Sequence, residues 1–166
     1  MVIRVLALAG GLTGAVGLSQ FPEISQQYMQ RLGGAVDALA VVVRDFDASA
    51  SAEGLSRDQA LQDMRGSAFL DRRRADMERT FARYDRLRAD LDHLRTASPY
   101  ARALHVRRMT DRDVAQATLE AYVPAVPVST AGFVFGAVGF LAGYAVVLAM
   151  LAGLRLPFRR AKRRAA

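Results

Sequence analysis

The longest uncharged run of the chain, Val128 to Leu154, restricts its fold more than any other feature. It holds 27 residues without one charged side chain. As an α-helix it would extend for about 40 Å at about 1.5 Å per residue, which exceeds the hydrocarbon core of a bilayer, about 30 Å thick. The run therefore predicts a transmembrane helix over residues 128–154.

The charges at the two ends of the chain predict its orientation in a membrane. Residues 19–127 contain 16 arginines and all 16 acidic residues, so the net charge of +7 comes from the ends. The end residues are Arg4, Arg155, Arg159, Arg160, Lys162, Arg163 and Arg164. Basic residues beside apolar segments stay on the cytoplasmic side, where they contact anionic lipid headgroups. We expect cytoplasmic termini, a basic tail over residues 155–166 and no nucleic-acid binding, which needs the excess charge on a folded face.

The N-terminal segment, residues 1–20, is a second candidate for the membrane. No charge occurs from Val5 until Glu23, which is near the shortest length that spans a bilayer. Two interpretations stay open. The segment is either a first transmembrane helix or a cleaved signal peptide, with Ala15-Val16-Gly17 as its small-x-small site. Both interpretations place residues 21–127 on the outer face of an inner membrane.

Glycines spaced four residues apart occur in both apolar segments and predict close helix packing. The pairs are Gly10 with Gly14, Gly132 with Gly136, and Gly139 with Gly143. Small residues at this spacing let two membrane helices approach closely. We expect the two helices to pair within one chain or between chains.

Two stretches of the central region carry apolar residues at helical spacing. The first stripe is Ile24, Tyr28, Leu32, Val36, Leu39, Val43 and Phe46, and the second is Leu70, Met77, Phe81, Tyr84, Leu87, Leu91 and Leu94. The spacing of the second stripe resembles a coiled-coil seam. The predicted fold class is an all-α membrane protein, with two transmembrane helices flanking an extracytoplasmic antiparallel helical hairpin of residues 24–46 and 67–97.

Shorter segments connect these elements. The small polar residues 47–56 predict a loop, and Ser56 with Gln59 forms a capping box for a short helix that ends near Arg65. Residues 98–109 predict a basic connector, and Thr110 is expected to cap a helix over residues 111–122. Tyr122, Pro124 and Pro127 are expected to return the chain to the membrane. Gly33 and Gly34 are expected to kink the first hairpin helix or to admit a close neighbour.

No arrangement of residues predicts catalysis, a metal or a cofactor, so we expect a protein that is not an enzyme. The chain has no cysteine, which excludes disulfides, thiolate zinc sites and iron–sulfur clusters. His93 and His105 lack the spacing of metal ligands and are expected at the surface. Carboxylates two residues apart do not face each other on a helix. This excludes acid–base pairs formed by Asp45 with Asp47 or by Asp90 with Asp92.

Two other motifs are expected to be structural. Arg72, Arg73 and Arg74 point in different directions and lie among acidic residues, which favours a solvated helix face over an acidic-partner site. The glycines Gly11, Gly14 and Gly17 do not have the spacing of a dinucleotide-binding loop.

Several stretches of the sequence resemble a known family. They are GLSQFPE at residues 17–23, QQYMQRLGGAVD at residues 26–37, GSAFLDRRRADMERT at residues 66–80, and the apolar C-terminal segment that ends in basic residues. The chain resembles a family of small proteobacterial inner-membrane proteins that is known only as a domain of unknown function. The resemblance implies an inner-membrane location and two spans, and it implies no activity or functional residue.

The predicted role is binding, by an accessory or scaffold protein that presents the hairpin to a protein partner in the envelope or to another copy of itself. The alternative is a lipid- or small-molecule-binding envelope protein, with a groove between hairpin and membrane that the two stripes would line. The span over residues 128–154 contains no acidic or basic residue, which argues against an ion-coupled carrier.

Overall fold

The computed structural model describes residues 1–124, 126 and 128–164, with side chains as far as Leu154. In that part of the chain every regular element is helical. The α-helices are α1 (Val2–Ser19), α2 (Phe21–Ala52), α3 (Arg57–Asp63), α4 (Ala68–Thr96), α5 (Pro99–Leu104), α6 (Arg112–Glu120) and α7 (Thr130–Arg164), with a 3₁₀-helix at Val106–Arg108. They form two compact units: the terminal unit, Met1–Ser25 with Val123–Ala166, and the central unit, Gln26–Tyr122.

In the terminal unit α1 packs along α7, and Cα atoms of the two helices approach within 8 Å at many positions. The Ser129 hydroxyl accepts a hydrogen bond from the Gly132 amide at 3.1 Å and caps the start of α7. The structure contains two helical stretches that are long and apolar enough to cross a membrane, Val2–Ala52 and Thr130–Leu154. Only 6% of the most apolar 18-residue stretch of α7 is buried, whereas the core helix of a water-soluble protein is mostly buried.

The core of the central unit consists of two apolar clusters. In the first, Tyr28, Met29, Leu32 and Val36 of α2 meet Leu87, Leu91 and Leu94 of α4 and Val114 of α6. In the second, Val43 of α2 meets Leu61 of α3 and Met77 and Phe81 of α4. The early residues of α2 thus contact the late residues of α4, and the later ones contact the early residues. Both stripes predicted from the sequence contribute to these clusters, except for their first residues, Ile24 and Leu70.

The predicted loop over residues 47–56 is wrong for its first six positions, because α2 continues to Ala52. Alanine favours helix, and the Ser49 hydroxyl donates to the Asp45 carbonyl at 2.9 Å, so it does not interrupt the helix. The helix stops before Gly54, whose φ of +69° suits glycine and few other residues.

The capping box at the start of α3 is confirmed. Ser56 Oγ accepts from the Gln59 amide at 3.3 Å, and Gln59 Oε1 accepts from the Ser56 amide at 2.8 Å. The helix ends at Asp63, two residues earlier than predicted, and Gly66 then adopts a φ of +100° before Ser67 caps α4.

The predicted connector over residues 98–109 is mostly helical, which the sequence did not predict. The Ser98 hydroxyl accepts from the Ala101 amide at 3.2 Å, and Pro99 occupies the first position of α5, where its missing N–H costs nothing.

The predicted cap at Thr110 is also wrong. The Asp111 carboxylate accepts from the Val114 amide at 3.3 Å and caps α6, which covers Arg112–Glu120 instead of residues 111–122. The Thr110 hydroxyl donates to the Arg107 carbonyl at 2.9 Å, so it is not directed at α6.

The two neighbouring glycines of α2 do not end the helix. A Cβ atom at Gly33 would lie 3.4 Å from the Arg95 guanidinium, so Gly33 admits a close neighbour. A Cβ atom at Gly34 would meet nothing within 4 Å.

Candidate functional site: the glycine-packed helix pair

Four of the six predicted packing glycines lie where the backbones of α1 and α7 touch. A Cβ atom at Gly10 would come within 3.1 Å of the Gly143 carbonyl oxygen. A Cβ atom at Gly14 would overlap the Gly139 carbonyl, and the reverse overlaps occur from Gly139 and Gly143. A real Cβ at any of these positions would force the helices apart, so this contact requires glycine.

Larger groups extend the same interface on both sides of the glycines. The Phe140 ring fills the space over Gly11, where a Cβ atom would lie 2.8 Å from a ring carbon. Val147 covers Gly10, and Ala7 of α1 is fully buried. The spacing of the glycines predicted that they pack closely. It did not predict that Phe140 covers Gly11, because this contact depends on the register of the two helices.

The remaining pair, Gly132 and Gly136, is placed differently. A Cβ atom at Gly136 would sit 3.6 Å from Ser19 Cβ and 3.7 Å from the Ala15 carbonyl oxygen, which is ordinary van der Waals contact. Gly132 is buried in the first turn of α7. Both glycines line an apolar groove instead of a backbone contact.

The groove has a volume of about 650 Å³ and opens between the end of α1 and the start of α7. Ala15, Val16 and Ser19 form one wall, and Phe133, Gly136 and Ala137 form the other. Uncharged residues alone line it, and its surface is almost wholly apolar. A cavity of this size and chemistry fits hydrocarbon and offers no acid, base or metal ligand.

The basic residues predicted to set topology are only partly visible. Arg4 is exposed in the first turn of α1. The side chains of Arg155, Arg159, Arg160, Lys162, Arg163 and Arg164 lie outside the described residues, as does Pro127.

The carboxylates considered for acid–base chemistry include two that are ion-paired. Arg57 donates two hydrogen bonds to Asp47, at 2.7 and 2.6 Å, and these hold the pKa of the Asp47 carboxyl below its ordinary value. Arg108 donates to Asp90 at 2.9 Å. A general acid at neutral pH needs a raised carboxyl pKa, so Asp47 is poorly suited to that role.

Of the three consecutive arginines, two pair along their own helix. Arg73 lies 3.9 Å from Asp76, Arg74 lies 3.9 Å from Asp71, and Arg72 is exposed. They do not converge on one point, as expected for consecutive helix positions.

The sequence did not indicate that the two histidines meet. The His93 and His105 rings lie 4.5 Å apart and edge to face, because α5 turns the chain back toward the end of α4. Across the described residues no group of three or more His, Asp or Glu side chains could hold a metal ion.

A polar network joining α2, α4 and α6 was also missed. Arg83 contacts Asp111 at 3.0 Å and Asp113 at 2.8 Å, and the Asp111 amide donates to the Tyr28 hydroxyl at 3.3 Å. Burial raises the pKa of Tyr28. The capping preference of Asp111 was the one feature of the sequence that pointed to this network. The network holds α6 on the core and does not create an open site.

Comparison with known proteins gives one match. A family model described as "Protein of unknown function (DUF2937)" matches residues 2–160. No curated protein and no solved structure matches the chain.

Proposed function

Since the chain belongs to the DUF2937 family of proteins of unknown function, we propose a role from its own geometry: it is a two-span inner-membrane accessory or scaffold protein. The observation that carries this proposal is the backbone contact between α1 and α7. Glycines make this contact, and they lie in the uncharged part of each helix, where most large apolar side chains are exposed.

Exposure of the terminal unit supports the membrane location. Leu12 of α1 and Leu141 of α7 expose 62% and 68% of their surfaces. In water, so many exposed large apolar side chains would promote aggregation, whereas in a bilayer they face lipid. Carbonate washing of membranes should leave the protein in the pellet, and its release would overturn the proposal.

The same contact supports a retained first span over a cleaved signal peptide. Gly139 and Gly143 lose their packing partner if residues 1–17 are removed. Ser19 Cβ lies 3.6 Å from the Cβ position of Gly136, within the range for a disulfide. The variant carrying Ser19→Cys and Gly136→Cys should therefore form an intramolecular disulfide in a chain that keeps residue 1. A mature protein that begins after residue 17 would contradict retention of the first span.

For topology, we propose cytoplasmic termini and a periplasmic helical hairpin of α2 and α4. The distribution of basic residues supports this orientation through the positive-inside rule. A reporter enzyme that is active only outside the cytoplasm should be inactive after residue 166 and active when inserted in the loop at Gly54. The opposite pattern would reject the orientation.

The hairpin's role is to bind a protein partner in the envelope or a second copy of the chain. A surface that fits this role lies at α5 and the 3₁₀-helix, where Leu104 and Val106 are exposed beside Arg102, Arg107 and Arg108. Exposed apolar residues rimmed by charge are typical of protein interfaces.

Crosslinking in intact membranes tests this role. A photoreactive residue at position 104 should give a discrete crosslinked species, whereas one at position 41, an exposed valine of α2, should give little. Isolation of the bare monomer alone, with no crosslink from position 104, would count against a scaffold role.

The alternative of a ligand groove lined by the two central stripes lacks structural support. Residues of both stripes are buried against one another in the two clusters.

A further inference from the structure

We propose that the groove between the end of α1 and the start of α7 binds one acyl chain of a bilayer phospholipid. The proposal rests on the membrane location proposed above, and it adds a ligand and a site to it.

The groove is not a by-product of the glycine contact. At Gly14, Gly139 and Gly143 a Cβ atom would collide with backbone, so packing explains those glycines. At Gly136 a Cβ atom would fit at 3.6 Å or more from its neighbours. Alanine would stabilise the helix there, because glycine is the weaker helix former. What glycine provides at this position is open space in the groove.

The lining of the groove suits neutral hydrocarbon. The walls formed by Val16, Phe133 and Ala137 are apolar, and the lining contains no charged side chain. Such a groove cannot compensate a buried carboxylate or ammonium group, so the part of a ligand inside it is neutral hydrocarbon. At one end, the Ser19 hydroxyl donates to the Val16 carbonyl at 2.9 Å and accepts from the Gln20 side-chain Nε2 at 3.4 Å. This polar end suits the ester region of a phospholipid.

The medium around the groove also favours an acyl chain. The groove is open and lies on a helix pair whose exposed surface is apolar, so in a membrane it is in contact with lipid. The volume of about 650 Å³ suits a chain-shaped ligand. A neighbouring acyl chain is the occupant already present at high concentration, and it gains van der Waals contact with both walls.

The test uses the full chain in phosphatidylcholine vesicles that contain a small fraction of phosphatidylcholine with a diazirine on one acyl chain. After illumination, mass spectrometry locates the label. We expect labelling at Val16 and Phe133 to exceed that at Leu148 and Met150 several-fold, because a chain held in the groove stays longer in contact than a passing lipid. Leu148 and Met150 are exposed on α7 outside the groove. Met150, at 64%, is about as exposed as Val16 and Phe133, at 67%, so it is the matched reference.

Two variants fill the groove from the α7 side. Gly136→Leu and Ala137→Phe should each reduce labelling at Val16 to the level at Met150, which is similarly exposed. Their matched controls are Gly153→Leu and Ala149→Phe, at exposed positions of the same helix, and these should leave the pattern unchanged. Disulfide formation between cysteines at 19 and 136, measured with Ala137→Phe present, shows that the helices still pair.

Even labelling along α7, or labelling at Val16 that both filling variants leave unchanged, would overturn the groove proposal while the membrane location stands. Release of the unmodified chain from membranes by carbonate would overturn the location as well.

Discussion

The two helix pairs of this protein are held together in opposite ways. α1 and α7 meet through glycines, and their backbones touch at Gly14 and Gly139. α2 and α4 meet through large side chains such as Leu32, Leu87 and Leu94, and their backbones stay farther apart. This difference is the one expected if the terminal unit lies in lipid, as we propose, and the central unit lies in water.

In water, burying leucine removes apolar surface from solvent, so large side chains give the most stability. In lipid that gain vanishes, because a lipid tail is as apolar as leucine, and close backbone approach becomes the main source of attraction. Most large side chains of α1 and α7 are exposed, which agrees with the membrane location that we propose.

The largest expected effect comes from removing atoms in the central unit. Leu94 is fully buried, so Leu94→Ala should destabilise this unit by about 2–5 kcal/mol through lost burial and a cavity. Urea unfolding of the full chain in detergent, followed by far-UV circular dichroism, measures the change. Leu104→Ala, at an 84% exposed position, is the control and should change little. If Leu94→Ala and Leu104→Ala lowered the free energy of unfolding equally, Leu94 would not lie in a packed core.

The second-largest effect should come from adding one carbon atom in the terminal unit. Gly139→Ala places a Cβ atom against the Gly14 carbonyl and should weaken the α1–α7 pair by about 1–3 kcal/mol, the usual cost of overpacking. The yield of a disulfide between cysteines at 19 and 136 reports the pairing. Gly153→Ala, in open space on α7, should leave the yield unchanged. A yield that survives Gly139→Ala would mean that the backbones do not touch.

The same change of glycine to alanine should have the opposite sign in the central unit. Gly34 is helical and a Cβ atom there meets nothing, so Gly34→Ala should stabilise the unit by about 0.5–1 kcal/mol. Gly54→Ala is the contrasting variant, and its φ of +69° should make the change destabilising. The urea midpoint measures both, and a loss of stability at Gly34 would indicate a neighbour on that face.

The smallest effect should come from the ion pair between Asp47 and Arg57. The lowered pKa of Asp47 means that its contribution is present above the ordinary pKa of 3.8 and is lost as the pH falls through the folded-state pKa. Since the Asp47 side chain is 40% exposed, Asp47→Asn should cost less than about 1 kcal/mol at neutral pH and nothing in strong acid. Urea midpoints across this pH range test it, with Asp45→Asn as the control. If the loss of stability caused by Asp47→Asn became larger as the pH falls, the ion pair would not be its source.

The periodicity of the sequence determined a large part of the fold. The stripe from Tyr28 to Val43, the capping box at Ser56 and the uncharged run to Leu154 each follow from local spacing or residue type, and the helices were expected from them. The errors lie where several residue types compete locally. Thr110 and Asp111 are both good caps, and residues 47–52 suit either a loop or a helix, so contacts made elsewhere in the fold decide between them.

By itself the sequence determined that two apolar helices flank a charge-balanced helical region, because helix periodicity and charge position are properties of neighbouring residues. Only the tertiary structure decided which glycines touch a backbone and which one leaves a groove, that His93 meets His105, and that Arg83 reaches Asp111. These depend on the register of elements far apart in the chain, and register is set by the packing of whole surfaces.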